Sequence, residues 1–317
     1  MRQVSCILVA LLLCRSVEAG VKRSSGKDVE AGQSAALFVG VRDFKHDGLV
    51  QVPFAIDDAV DLAYELAIDH EPVLVPPNRA VLALSEGEPQ KPESRLKLKA
   101  LLAAGATRRA AGQREILDSL EGQAKLVGRN GILIVSFATH GVSDKKAEHL
   151  LTPASRLDKL EATVTVDAIR EIVSRNNVPR ALILIDACRE RLIRNGRTGR
   201  ADPRSAFIHV MTGVEGQVVM SGAAAGGYAY DDEERGNGVF TATVIAGLQC
   251  GAAKDWHHFV TVETLYSYVS REVLHWARDH GKHVRKATEL ICEGQTRKMP
   301  LSICVNRTVS ASAPHPQ

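Results

Sequence analysis

Five stretches of the chain are apolar at all or nearly all consecutive positions. They are Ala35–Val41 (A-A-L-F-V-G-V), Val81–Leu84, Gly131–Phe137 (G-I-L-I-V-S-F), Ala181–Ile185 and Val218–Met220. Uninterrupted apolar runs of this length predict strands buried on both faces of a parallel sheet. Between them the apolar residues change to helical spacing. Ile56, Ala59, Val60, Ala63, Leu66 and Ala67 predict a helix beginning near Ala55, with Asp57, Asp58 and Asp61 interleaved as a solvated face or as first-turn charges favoured by the dipole. Arg114–Val127 predicts an amphipathic helix with Ile116, Leu117, Leu120, Ala124 and Leu126 inward. Pro89–Gly112, rich in Lys, Arg and Ala, reads as helical, Val166–Val173 as a short helix, and Val239–Leu248 as another. Thr261 is placed to cap a last long helix whose apolar stripe is Val262, Leu265, Tyr266, Val269, Val273 and Trp276, with Gly281 as its stop. Strands alternating with helices predict an α/β fold, one mostly parallel β-sheet flanked by helices on both faces.

The first nineteen residues do not belong to that pattern. Arg2 precedes an almost wholly apolar Val4–Cys14, and Val17-Glu18-Ala19 offers small or tolerated residues at the cleavage positions. Residues 1–19 therefore read as a secretory signal peptide, too short for a comfortable membrane span, and an uncleaved anchor is the minor reading. The expected localisation is secreted or periplasmic. Residues 20–33 read as a mobile leader, 34–307 as one folded domain and 308–317 as a small, Pro-rich disordered tail. No membrane association is expected beyond a possible uncleaved anchor.

The 317 residues carry a formal net charge of only +3, too weak to argue for nucleic acid, and aromatics are 4% of the chain. Beyond the signal peptide four cysteines remain: Cys188, Cys250, Cys292 and Cys304. In an oxidising compartment some pairing is expected. Cys292 and Cys304 form the most natural pair, although connectivity does not follow from sequence. Asn306-Arg307-Thr308 fits a glycosylation acceptor in a eukaryotic secretory route. No P-loop, dinucleotide fingerprint or zinc-type Cys/His spacing occurs.

Candidate chemistry sits at the ends of two buried runs. Gly131–Phe137 leads into Ala138-Thr139-His140-Gly141, and Ala181–Ile185 leads into Asp186-Ala187-Cys188-Arg189. Alternation along a strand points Asp186 and Cys188 to one side and Ala187 to the other. A lone Cys is most often inert core. A His and a Cys at matched ends of parallel strands share one sheet edge, where open α/β sheets place their chemistry. There the thiolate is the nucleophile, the imidazole manages its proton, and the Gly141 and Cys188 amides can receive an oxyanion.

These motifs resemble the caspase-like cysteine peptidases (peptidase family C14, clan CD), within them the metacaspase-type bacterial branch. Strand-A-T-H-G and strand-D-A-C-R are similar to the family's His-Gly and Cys motifs. Val218–Thr241 (V-V-M-S-G-A-A-A-G-G-Y-A-Y-D-D-E-E-R-G-N-G-V-F-T) is similar to its next strand, acidic loop and helix start, and A-L-F-V-G-V-R-D-F with A-I-D-D-A-V-D-L to its opening strand and first helix. Together these cover roughly Ser34 to Asn306. The resemblance implies a caspase-like fold and a cysteine-type endopeptidase acting on protein or peptide substrates. His140 would be the general acid/base, Cys188 the nucleophile and Gly141 an oxyanion donor. It places Asp186 where aspartate-specific caspases carry Gln, and Asp58 at the family's second acidic pocket position. Two carboxylates facing one pocket predict cleavage after Arg or Lys. The chain departs from the family's usual sequence after the cysteine, where it has Arg189-Glu190-Arg191, so a catalytically inactive, partner-binding module is the alternative. No cofactor is expected, and the arginines after Cys188 do not support calcium activation. That arginine-rich stretch (Arg189, Arg191, Arg194, Arg197, Arg200 and Arg204) reads as a solvated loop or as a site of self-cleavage. The acidic run Asp231–Glu234 reads as a solvated loop.

Overall fold

The computed structural model describes residues 29–46, 48–70, 73–144, 147–187, 190–193, 197–200, 216–223, 229–255, 258–282, 288–292 and 294–304, with the backbone alone at 190–193 and 197–200. The predicted signal peptide, most of the predicted leader, Cys188, Arg189, Arg194, Arg204, the Asn306 acceptor and the predicted tail lie outside these residues.

In chain order the elements are β1 (Ala35–Gly40), α1 (Ala55–Tyr64), β2 (Ala80–Leu84), α2 (Pro92–Ala103), β3 (Thr107–Ala110), α3 (Gln113–Leu126), β4 (Leu133–Ala138), β5 (Gly141–Ser143), β6 (Glu148–Leu150), β7 (Val164–Thr165), α4 (Val166–Arg175) and β8 (Ala181–Asp186). They are followed by β9 (Glu190–Ile193), β10 (Arg197–Arg200), β11 (Gln217–Ser221), β12 (Asp231–Asp232), β13 (Asn237–Gly238), α5 (Val239–Ala246), β14 (Phe259–Thr261), α6 (Val262–Asp279), β15 (Glu289–Cys292) and β16 (Pro300–Ile303). Among the described residues the main sheet has seven strands in the order β15-β11-β8-β4-β1-β2-β3. All its pairings are parallel except β11 with β15. This is the predicted α/β architecture.

Strand alternation sorts the core into two layers. Phe38, Ile134, Leu182 and Leu184 point to one face, where α1, α2, α5 and α6 pack. Leu37, Val39, Leu133, Val135, Ile183, Ile185 and Ala187 point to the other, covered by α3 and α4. The even-numbered side chains of β8, Asp186 included, thus belong to the α1/α5 side. Gly40 closes the packing on that side: a Cβ there would lie 2.4 Å from the Ala55 carbonyl oxygen and 3.0 Å from Ala59 Cβ. Lacking one, β1 lets the first turn of α1 rest directly on its C-terminal end.

Four expectations require correction. Pro89–Gly112 is not one helix: α2 ends at Ala103, and Thr107-Arg108-Arg109-Ala110 form β3 on the sheet's edge. An edge strand needs no continuous apolar run, so periodicity misses it. Leu126, expected inward, is 45% exposed at the last residue of α3. The disulfide is Cys250–Cys304, with Cα atoms 5.8 Å apart, and Cys292 is a free thiol. Cys292 lies on β15 paired with Val218, whereas Cys304 follows β16, which pairs with β14 beside the turn carrying Cys250. Finally, Asp57, Asp58 and Asp61 are not a solvated face: their exposures are 0%, 3% and 3%.

The predicted cap holds. Thr261 Oγ1 accepts from the Thr264 amide and Thr264 Oγ1 from the Thr261 amide, a closed capping box. The stripe residues Val262, Leu265, Val269 and Val273 are buried in the core, with Tyr266 and Trp276 half-buried against it. Glu30 and Asn130 are joined through backbone and side chain, so the last residues of the predicted leader are tied to the loop before β4.

Candidate active site

The two strands predicted to end in reactive groups are neighbours. β4 and β8 pair in parallel with Ala138 opposite Asp186, and the Thr139 amide continues the ladder by donating to the Asp186 carbonyl at 3.2 Å. His140 therefore leaves the sheet at the same edge at which Asp186 ends β8. Cys188, two residues further along the chain, lies outside the described residues.

His140 is held from the loop between β1 and α1. Its Nε2 lies 2.8 Å from the Val50 carbonyl oxygen, and its ring packs on Phe44 with centroids 5.0 Å apart. A carbonyl can only accept, so Nε2 carries the proton, and in the neutral ring Nδ1 is the basic nitrogen. The Leu151 amide donates to the His140 carbonyl, which makes Gly141–Leu150 the non-hydrogen-bonded pair of the β5–β6 ladder. The Gly141 N–H consequently points away from β6, to the side on which β9 pairs with β5 in parallel.

Asp186 and Asp58 are brought together. Asp186 Oδ2 accepts from the Thr241 amide at 3.1 Å and the Thr241 hydroxyl at 2.7 Å, both at the start of α5. Asp58, from the first turn of α1, accepts through Oδ1 from Asn237 Nδ2 at 2.9 Å and from the Gly238 amide at 3.0 Å. The two carboxylates straddle Gly238: a Cβ there would lie 2.4 Å from Asp186 Oδ2 and 3.0 Å from Asp58 Oδ2. Among the described residues neither acid has a Lys or Arg partner. Burial, and then the neighbouring Asp186 charge, raise the Asp58 pKa well above the usual carboxylate range. Burial pushes Asp186 up to about 6 against the opposing pull of the two Thr241 hydrogen bonds, with Asp231 adding to the rise. Asp231 is itself raised by burial and then by Glu233.

The other two aspartates of α1 have different work. Asp57 accepts from the Gln90 and Lys91 amides at 2.9 and 2.8 Å, just before α2 begins. Asp61 pairs with Lys91 Nζ at 2.6 Å and Lys97 Nζ at 3.0 Å. In the acidic run, Asp232 is buried rather than solvated, accepting from the Glu234 and Arg235 amides and from Trp276 Nε1.

Sequence reasoning thus named His140, Gly141, Asp58 and Asp186, and missed Asn237, Gly238, Thr241 and Lys91. The first three of these lie within N-G-V-F-T, whose resemblance marked a helix start but whose side-chain roles require the contact with α1 and β8. No group of three or more His, Cys, Asp or Glu among the described residues is arranged to hold a metal ion, and no helix among them is long and apolar enough to cross a membrane.

A mostly parallel sheet with helices on both faces, whose adjacent strands β4 and β8 lead into His-Gly and Asp-Ala-Cys, is the layout of a caspase-type cysteine peptidase. A sequence profile of the family described as "Caspase domain" (Peptidase_C14) matches residues 98–308, and the chain belongs to that family of cysteine peptidases. Similar solved structures include the crystal structure of caspase-1 from Spodoptera frugiperda, with 13% identity, a TM-score of 0.54, and coverage of 87% of this chain and 92% of that one. A structural-genomics target protein from Geobacter sulfurreducens is similar at 13% identity and a TM-score of 0.53, over 86% of this chain and 99% of that one. At these identities the likeness establishes the fold. No curated protein sequence matches.

Proposed function

We propose that the chain is a cysteine endopeptidase that cleaves peptide bonds after Arg or Lys, using a His140/Cys188 dyad. The observation that carries the specificity is the convergence on Gly238 of the buried carboxylates of Asp58 and Asp186, neither of which has a Lys or Arg partner among the described residues. Buried carboxylates without a counter-charge are costly, and a guanidinium or ammonium arriving between them supplies one. In the chemical step the Cys188 thiolate attacks the scissile carbonyl carbon. The carbonyl π electrons move to oxygen, and the Gly141 N–H, directed away from β6, is a donor for the resulting oxyanion. Collapse of the tetrahedral adduct breaks the C–N bond, and His140 protonates the departing amine. Water, deprotonated by His140, then hydrolyses the thioester. The Nε2–H to Val50 hydrogen bond supports this role because it leaves Nδ1 as the proton-accepting nitrogen.

The substrates are proteins or peptides, nucleic acid is not a partner, and no cofactor or calcium is required. The Cys250–Cys304 disulfide favours an oxidising compartment, in keeping with export of the chain. The departure at Arg189-Glu190-Arg191 favours the second reading, an inactive caspase-like module that binds partners. Fluorogenic peptides ending in Arg, Lys or Asp, assayed with the wild-type chain and Cys188→Ala under reducing conditions, separate the two. Turnover of the Arg and Lys peptides that disappears in the variant is expected. Turnover of the Asp peptide alone, or equal turnover by Cys188→Ala, overturns the proposal, and no turnover of any peptide selects the binding module.

A further inference from the structure

The side-chain amide of Asn237 is buried among two carboxyl groups and an ammonium. Its Nδ2 donates to Asp58 Oδ1 at 2.9 Å and to Asp61 Oδ2 at 3.1 Å, while its Oδ1 accepts from Lys91 Nζ. The ionised Asp61 only accepts and the Lys91 ammonium only donates, so one orientation of the amide satisfies both and also places its NH₂ on Asp58 Oδ1. The reverse orientation would set a carbonyl oxygen against two carboxylates and an NH₂ against an ammonium. Lys91 is itself strongly held. Its amide donates to Asp57, its ammonium pairs with Asp61 at 2.6 Å and reaches the Arg235 carbonyl at 3.4 Å, and its stem lies over Gly236. Gly236 has φ +62°, and a Cβ there would come within 2.7 Å of Lys91 Cδ. Asp61 is braced from α2 by Ser94 Oγ at 2.8 Å and Lys97 Nζ at 3.0 Å. Burial works against the ionised Asp61, and the Lys91 hydrogen bond and charge, aided by Lys97 and Ser94, outweigh it, leaving its pKa below the usual range.

We propose that Lys91 is a positioning residue for the specificity pocket: by holding Asn237 Oδ1 it fixes the amide whose Nδ2 places the pocket carboxylate Asp58. The inference rests on the reading of Asp58 and Asp186 as the seat of a basic substrate side chain. Lys91 acts through Asn237 and contributes no group to the chemistry. The polar chain runs from the start of α2 through β13 to the first turn of α1, so a residue of no apparent catalytic type tunes recognition. Asp58 has two donors on Oδ1, and only the Gly238 amide is fixed by backbone alone. Without the ammonium Asn237 Oδ1 loses its donor and the amide is held by its two carboxylate acceptors alone, so the donor to Asp58 is less firmly placed.

The test uses the full chain and needs no turnover. N-acetyl-argininamide, a small probe of the basic pocket, is titrated as a protectant against iodoacetamide alkylation of Cys188, followed at that peptide by mass spectrometry. The proteins are wild type, Lys91→Met, Asn237→Ala and the double variant, with thermal melts run alongside. In Lys91→Met the half-protecting probe concentration rises about tenfold, the effect of one hydrogen bond to a charged group. The alkylation rate without probe stays within about twofold of wild type, and the double variant is no worse than Asn237→Ala, as expected for residues acting in series. An unchanged half-protecting concentration in Lys91→Met, or additive effects in the double variant, overturns the positioning role alone. If Lys91→Met instead slows basal alkylation and melting falls with it, the role is general support of the fold and the proposal fails. A wild-type chain whose Cys188 gains no protection from the probe overturns the basic-pocket reading, and this proposal with it.

Discussion

Replacing Asp186 with Asn is expected to stabilise the protein at neutral pH while removing its ability to act on basic substrates. Asp186 is buried, with a pKa pushed up to about 6 against 3.8 for an unperturbed Asp. A shift of about two units corresponds to roughly 3 kcal/mol of unfavourable free energy when the group is ionised in the fold. Because the folded-state value is the higher one, the folded protein binds more protons than the unfolded chain between about pH 4 and 6. Stability is therefore lost as pH rises through that window, and the penalty is complete above it. Asn keeps an oxygen for the Thr241 amide and hydroxyl, which donate to Asp186 Oδ2 at 3.1 and 2.7 Å, and its NH₂ can donate to Asp58. The stability gain over wild type should be near zero below pH 4 and grow to about 2–3 kcal/mol at pH 7.5, raising Tm by about 5 °C or more. Urea or thermal melts at pH 4, 5, 6 and 7.5 measure it. Over the same series, kcat/KM for an Arg peptide should fall by about 100-fold or more, the expected loss when one partner of a buried charge pair is removed. A variant less stable than wild type at pH 7.5, a gap independent of pH, or undiminished cleavage of the Arg peptide would each refute the reasoning.

Thr241→Val preserves shape and the backbone amide but removes the hydroxyl that favours ionised Asp186, so the acid limb of the kcat/KM profile should move up by about one pH unit. A limb that stays in place would show that Asp186 does not govern that titration. Gly238→Ala puts a Cβ 2.4 Å from Asp186 Oδ2, and should lower kcat/KM for Arg peptides at least about tenfold while far-ultraviolet circular dichroism stays unchanged. Full activity would mean that the two carboxylates do not share that space with substrate. Cys304→Ser opens a loop of 54 residues and should cost about 4 kcal/mol in urea unfolding by the chain-entropy argument. A non-reducing peptide map should show Cys250 linked to Cys304 and Cys292 free to alkylate, and a Cys292–Cys304 link would contradict the structure.

How much of this could be read from the chain differs by element. Strands β1, β4, β8 and β11 are buried on both faces, so each had to be written as an apolar run, and each is found where that run lies. β3 is an edge strand of sequence Thr-Arg-Arg-Ala; half of its environment is solvent, and no pattern announces it. The cap at Thr261 is local and legible, being set within four residues, although the reciprocal bond to the Thr264 hydroxyl appears only in the structure. The Cys250–Cys304 bond is not local. Cys292 and Cys304 are nearer in sequence, but β15 pairs with β11 in the main sheet, while β16 pairs with β14 beside Cys250.

The aspartates of α1 mark the same division. Helical spacing correctly places Asp57, Asp58 and Asp61 in one helix near its start, and charge alone then suggests solvent. Only the tertiary structure turns them to three separate tasks: Asp57 to the amides before α2, Asp61 to two lysines, Asp58 to the Asn237–Gly238 edge facing Asp186. Periodicity reports the environment averaged over an element's face, which suffices for layers and for the shared sheet edge at which β4 and β8 end, whereas their adjacency is a matter of strand order. The partner of a single buried charge depends on which helix crosses which strand, and here Gly40 decides it by letting α1 descend onto the end of β1.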